Sequence, residues 1–169
     1  MSYCYSNDGD SMRAVDPTYD PQAGEVIFDR LVSDDELDAA FPGRAVRRVQ
    51  GVKARRLAEV RATADALLAD LTASYPAGEL QSWGQQAKEA DALLENSAAH
   101  APLLSAIAAA RGMPVGDLAV RVRAKVAAYS AQAGAIIGRR QALEDAIDGV
   151  DLAAPDAAAQ LAAIEWPRA

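Results

Sequence analysis

The chain has 169 residues, 51% of them hydrophobic and 24% charged, and a formal net charge of −7, which is enough chain to bury the core of one domain. Its 24 acids against 17 bases argue against nucleic acid as the partner of the molecule as a whole. One Cys and one His, Cys4 and His100, exclude an intrachain disulfide, a Cys-rich zinc site and the usual multi-His metal and triad arrangements, so no enzyme activity, cofactor or metal is expected.

Residues 1–25 have neither an apolar stretch nor a basic start, so no secretory signal is expected. No segment reaches the roughly 18 consecutive apolar residues that span a bilayer, and a cytoplasmic origin with no membrane partner is expected. The first 43 residues hold ten acids and two bases. Within them Asn7-Asp8-Gly9 predicts a hairpin turn between strands at Ser2–Ser6 and Ser11–Val15, and Glu25–Phe28 predicts a third strand. Ser33 followed by Glu36 is the spacing of a capping box, opening a short helix from Asp34 to Ala40 that Pro42-Gly43 ends. About forty residues of this kind rarely fold alone, so 1–43 is read as a small docking segment with short strands.

Residues 44–75 reverse the charge, with seven bases and three acids. Val49, Val52, Leu57, Val60, Ala64, Leu67 and Leu71 recur at three- and four-residue steps, predicting one long amphipathic helix from Arg44 to about Ser74. A second helix is predicted from about Gly78 to Asn96, with Leu80, Trp83, Ala87, Ala90 and Leu94 on its apolar face. Pro102 suits the first turn of a third, short helix that Gly112 and Pro114 terminate. Asp117 is placed as the cap of the longest helix. Its seam of Leu118, Val122, Val126, Tyr129, Ala133, Ile136, Arg140, Leu143 and Ile147 steps by four and three as a coiled coil does. Gly134 and Gly138 each cost the helix about 1 kcal/mol relative to Ala, so a close helix crossing is expected there. A last short helix spans Asp156 to Ile164. Ala supplies about a quarter of the chain, which favours helix and thin interfaces. The fold class expected is mainly α: an extended helical hairpin or bundle with coiled-coil-like long helices and a small N-terminal β segment. Its parts are 1–43, a bundle over 44–149, and a short helix and tail over 150–169.

Few residues suggest chemistry. Arg44, Arg47, Arg48, Lys53, Arg55, Arg56 and Arg61 could meet phosphates if one face displayed them, but they occupy all angles of the helix. The preferred reading is a solvated face or pairing with the acidic first segment. The segment Asn7–Ser11 resembles a fragment of a calcium loop but lacks the acid spacing and the distal Glu, so the turn is preferred. His100 is read as a loop residue, and Glu144, Asp145 and Asp148 as a solvated acidic face rather than acid–base machinery. Cys4 reads as a small buried group. Trp83 is expected in the core, whereas Trp166 is open to core and partner readings alike. The residues expected to bind a partner are Val122, Val126, Tyr129, Ile136, Leu143, Ile147 and Trp166.

The runs TASYPAGELQSWGQQAKEADALL (72–94) and APLLSAIAAARGMPVGDLAVRVRAKVAAYSAQAGAIIGRRQALEDAI (101–147) resemble helical proteins encoded in the tail-fibre region of bacteriophages and prophages. The features that carry the resemblance are the Tyr-Pro-x-x-Glu and Ser-Trp-x-x-Gln pairings, the Ala-Pro-Leu-Leu turn, the Ala-Arg-Gly stop and the Gly-Arg-Arg-Gln segment. The N-terminal Ala40-Phe41-Pro42-Gly43, behind its acidic helix, is similar to the start of tail-fibre assembly or tail-associated proteins. The resemblance implies a phage tail component, either a fibre-assembly chaperone or a virion-incorporated attachment protein. It further implies a tail-fibre or baseplate partner, self-association, and a place in the virion tail or in the host cytoplasm during assembly. The alternative is a nucleic-acid-binding regulator using the basic 44–61 helix.

Overall fold

A computed structural model describes residues 1–167; the last two residues of the 150–169 segment lie outside the described residues. The elements in chain order are β1 (Ser2–Ser6), β2 (Ser11–Val15), β3 (Val26–Phe28), α1 (Asp34–Ala40), α2 (Arg44–Asp70), α3 (Ala77–Glu95), α4 (Pro102–Ala110), α5 (Val115–Asp148) and α6 (Ala157–Ala163). Helix accounts for 62% of the described residues, so the fold is mainly α with a small N-terminal antiparallel sheet. The chain forms two compact units, one of Met1–Ala58 with Ala146–Glu165 and one of Glu59–Asp145 with Trp166 and Pro167. Both α2 and α5 contribute to each.

In the first unit the hairpin forms where the Asn-Asp-Gly turn predicts it. Asn7 and Asp8 both take positive φ, 51° and 55°, and the Gly9 N–H donates to the Ser6 carbonyl at 3.0 Å, the backbone that lets a tight turn follow the twist of its strands. The sheet order is β2-β1-β3, antiparallel throughout. Tyr5, Leu37 and Phe41 form its small core, with Tyr5 edge-on to Phe28 at 5.7 Å between ring centroids. Ser33 and Glu36 close the capping box at the start of α1. Cys4 is buried, and its thiol is pushed up by burial and then by the neighbouring Glu25. Glu25 accepts from the Gln22 N–H, the Tyr19 hydroxyl and the Arg13 guanidinium, and the first two of these lead in holding its carboxyl down at about 2.

Gly9 is where this unit is tightest. Its φ is +86°, and an added Cβ would stand 2.9 Å from Phe41 Cδ2 and 3.1 Å from Arg44 Cδ. Gly9→Ala is expected to destabilise by about 2–3 kcal/mol, strain and clash together, read as a lower urea midpoint by far-UV circular dichroism. Gly24→Ala, with φ +82° but nothing within 4 Å, supplies the comparison and should lose only the strain, about 1 kcal/mol.

The core of the second unit is Ala90, Leu93, Ala101, Leu104, Ala108, Leu118, Ala119 and Val122, drawn from α3, α4, α5 and the residue before α4. Four of the eight are Ala, so these helices pack with little side chain between them. Three expectations are corrected here. On α3 the buried residues are Glu89, Ala90 and Leu93, and Leu94 is exposed: the face turns to admit a carboxylate that serves the next helix. Helix α5 starts at Val115, so Asp117 lies inside its first turn, where it complements the helix dipole rather than capping it. A Cβ on Gly134 or Gly138 would meet nothing within 4 Å, so no close crossing occurs there among the described residues; both glycines lie on the exposed side of α5.

Candidate functional site

A groove of about 880 Å³ opens in the second unit. Its floor uses the apolar seam of α5, with Leu118, Val122, Val126 and Tyr129 each falling three or four residues after the last, as one helix face requires. Residues Glu79, Ser82, Trp83 and Gln86 of α3 form the opposite wall. Leu71 and Tyr75 precede α3, and Ile107 and Arg111 come from α4 and its end.

Three rings stand together in it. Trp83 packs edge-on to Tyr75 at 5.0 Å and to Tyr129 at 5.8 Å between centroids, the geometry that ring quadrupoles favour. Lys125 Nζ lies 4.9 Å from the centroid of Tyr75, a cation–π contact. Trp83 and Tyr75 are half-buried and Tyr129 is exposed. Trp83 therefore stands in the groove wall rather than in the core expected for it. Aromatic surface left facing a cleft is what a binding partner covers.

Charge in the groove runs against that of the chain. Arg111, Arg121 and Lys125 line it against the single acid Glu79, and none of the three cations enters an ion pair among the described residues. Several cations outside the groove are engaged. Arg44 meets Asp38 at 2.7 Å and Asp34 at 2.9 Å, Arg48 meets the same two acids, and Arg47 meets Asp8. These contacts pair the basic start of α2 with the acidic first segment. Lys53 bonds Asp148, Arg56 donates to the carbonyls of Leu161 and Ala162, and Arg123 bonds Asp91. Glu144 accepts from Arg61 at 2.7 Å and from Arg140 at 2.6 Å, and Arg61 leads in holding its carboxyl below the usual range. Glu144 and Asp148 thus serve as ion-pair partners.

The seven residues expected to bind a partner are dispersed. Val122 and Ile147 are buried within the chain, and Val126, Ile136, Leu143 and Trp166 are half-buried. Tyr129, 36% exposed, joins Val122 and Val126 in lining the groove. Sequence reasoning missed Tyr75, Lys125, Arg121 and Arg111 as its companions. The available signal was the recurrence of Arg121, Lys125 and Tyr129 at four-residue steps along α5, which puts cations and an aromatic on one edge of one helix.

A family model described as the HI1402 helical domain matches residues 124–166. The match covers about a quarter of the chain, from within α5 through α6, and its description agrees with the helices found there. No curated protein and no solved structure matches the chain.

Proposed function

We propose that the chain is a protein-binding helical module, and that the partner is a bacteriophage tail chain, a tail-fibre or baseplate protein. The binding half of this reading is carried by the groove, where Trp83, Tyr75 and Tyr129 face an open cleft beside cations that enter no ion pair among the described residues. Leaving such rings against water forgoes hydrophobic stabilisation, and amphipathic aromatics of this kind anchor protein interfaces. The phage half rests on the resemblance of 72–94 and 101–147 to tail-fibre-region proteins, and it admits a transient chaperone or a resident tail part.

Coexpression with a candidate tail-fibre chain from the same genome, followed by size-exclusion chromatography with light scattering, tests both halves. A complex of defined mass, weakened by Trp83→Ala at unchanged helicity, is the expected result. Separate elution of the two chains in every salt condition removes the phage reading. Mass spectrometry of purified virions then separates the roles: stoichiometric copies mark a resident part, and absence despite complex formation marks a chaperone.

A further inference from the structure

We propose that the groove of the second unit receives an acidic amphipathic helix, whose apolar stripe lies along the α5 seam and whose carboxylates meet Arg111, Arg121 and Lys125. This rests on the protein-binding half of the reading above and is independent of the phage half.

Shape supports a helix as the occupant. The lining residues of α5 run from Leu118 to Gln132, about four turns or roughly 21 Å, long enough for a ligand helix of similar length. Helix-in-groove recognition uses anchors at i, i+3 or i+4, and i+7, the same repeat that the wall of α5 presents. At one end Trp83, packed edge-on between Tyr75 and Tyr129, offers ring surface for a large apolar side chain.

Charge supports an acidic one. In a chain of net charge −7 the groove collects three cations and one acid, and Arg121 and Lys125 sit one helical turn apart on one edge. A cation left unpaired on an acidic protein stands ready for a carboxylate from outside, which adds steering and register. A basic helix would meet like charge at Arg121 and Lys125.

The test uses the full chain and synthetic peptides of about 14 residues, fluorescently labelled, with Leu at i, i+4, i+7 and i+11 and Glu on the flanks. A sister peptide carries Lys for Glu, and a single-stranded oligodeoxynucleotide serves as the polyanion of another class. Anisotropy titrations are expected to show the Glu peptide binding, more weakly as salt rises. The double variant R121E/K125E should lose about tenfold in affinity for it and gain binding to the Lys peptide. Trp83→Ala should lose about tenfold or more, and if that variant loses helicity the charge exchange alone decides. The proposal is overturned if the Glu peptide does not bind, if both peptides bind alike, if R121E/K125E changes neither, or if the oligonucleotide binds more tightly than the Glu peptide. If the tail-fibre complex forms and survives R121E/K125E and Trp83→Ala unchanged, protein binding stands and this site for it falls.

Discussion

Arg44→Ala lowers the stability of the first unit by about 3 kcal/mol, measured as the urea midpoint of far-UV circular dichroism. Arg44 is 7% exposed, and its guanidinium donates to Asp38 Oδ1 at 2.7 Å and to Asp34 Oδ1 at 2.9 Å. Those acids, Asp38 first, hold its pKa above the usual arginine value. Removing the arginine leaves two carboxylates facing each other at the α1–α2 junction and opens space beside Phe41 and Gly9. Asp34 keeps 62% of its side chain in water, so the loss falls at the lower end of what breaking a fully buried pair costs. Arg44→Lys keeps the charge but not the fork, and is expected to recover about half of the loss. A full recovery by Lys would mean that charge alone, and not bidentate geometry, joins α1 to α2.

Glu89→Ala is expected to cost the second unit about 2 kcal/mol. Glu89 is 4% exposed, yet its carboxylate accepts from the Leu104 N–H at 2.8 Å and from Gln85 Nε2 at 2.8 Å. Helix α4 has Ala101 at its N-cap and no side-chain cap of its own. Glu89 of α3 therefore satisfies the first turn of α4 from outside and places negative charge at the positive end of its dipole. Burial by itself would raise the carboxyl's pKa, but the Leu104 N–H, then Gln85 and the Leu103 N–H, outweigh it, and the pKa falls below 4.5. A depressed folded-state pKa means that the contribution is present above the unfolded value and lost as pH falls through the folded one. Wild-type stability of this unit should hold from neutrality to about pH 4.5 and decline below it. Glu89→Gln should start lower at pH 7 and decline less steeply in acid. Urea midpoints at pH 7 and pH 3.5 check the sign, and equal slopes for wild type and Glu89→Gln would overturn it.

The elements themselves were legible because their signals are local. Asn7-Asp8-Gly9, the Ser33 and Glu36 pair, Pro102 and Gly112 each act on backbone within a few residues, and the hairpin, α1 and α4 stand where those residues put them. Composition and periodicity likewise led to a mainly helical chain, since alanine and the three- and four-residue steps need no partner to be read. The opposite charges of 1–43 and 44–75 left a solvated face and pairing between the segments both open; the structure pairs Arg44, Arg47 and Arg48 with the acidic first segment, with Arg44 as the buried centre.

The groove was not legible, because its parts come from positions far apart in the chain. Trp83 reads as core on α3 alone; the approach of α5 with Tyr129, and the turn that brings Tyr75 beside it, leave the ring in an open wall. Nothing in the order of residues along α3 marks Glu89 until the bare N-terminus of α4 is set against it. Gly134 and Gly138 look like a crossing point, yet among the described residues nothing approaches within 4 Å of a Cβ placed there. Propensity and capping are properties of short stretches and follow from residue order. Which face is covered, which cation is left without an acid and which carboxylate caps a foreign helix depend on long-range packing, which only the tertiary structure decides.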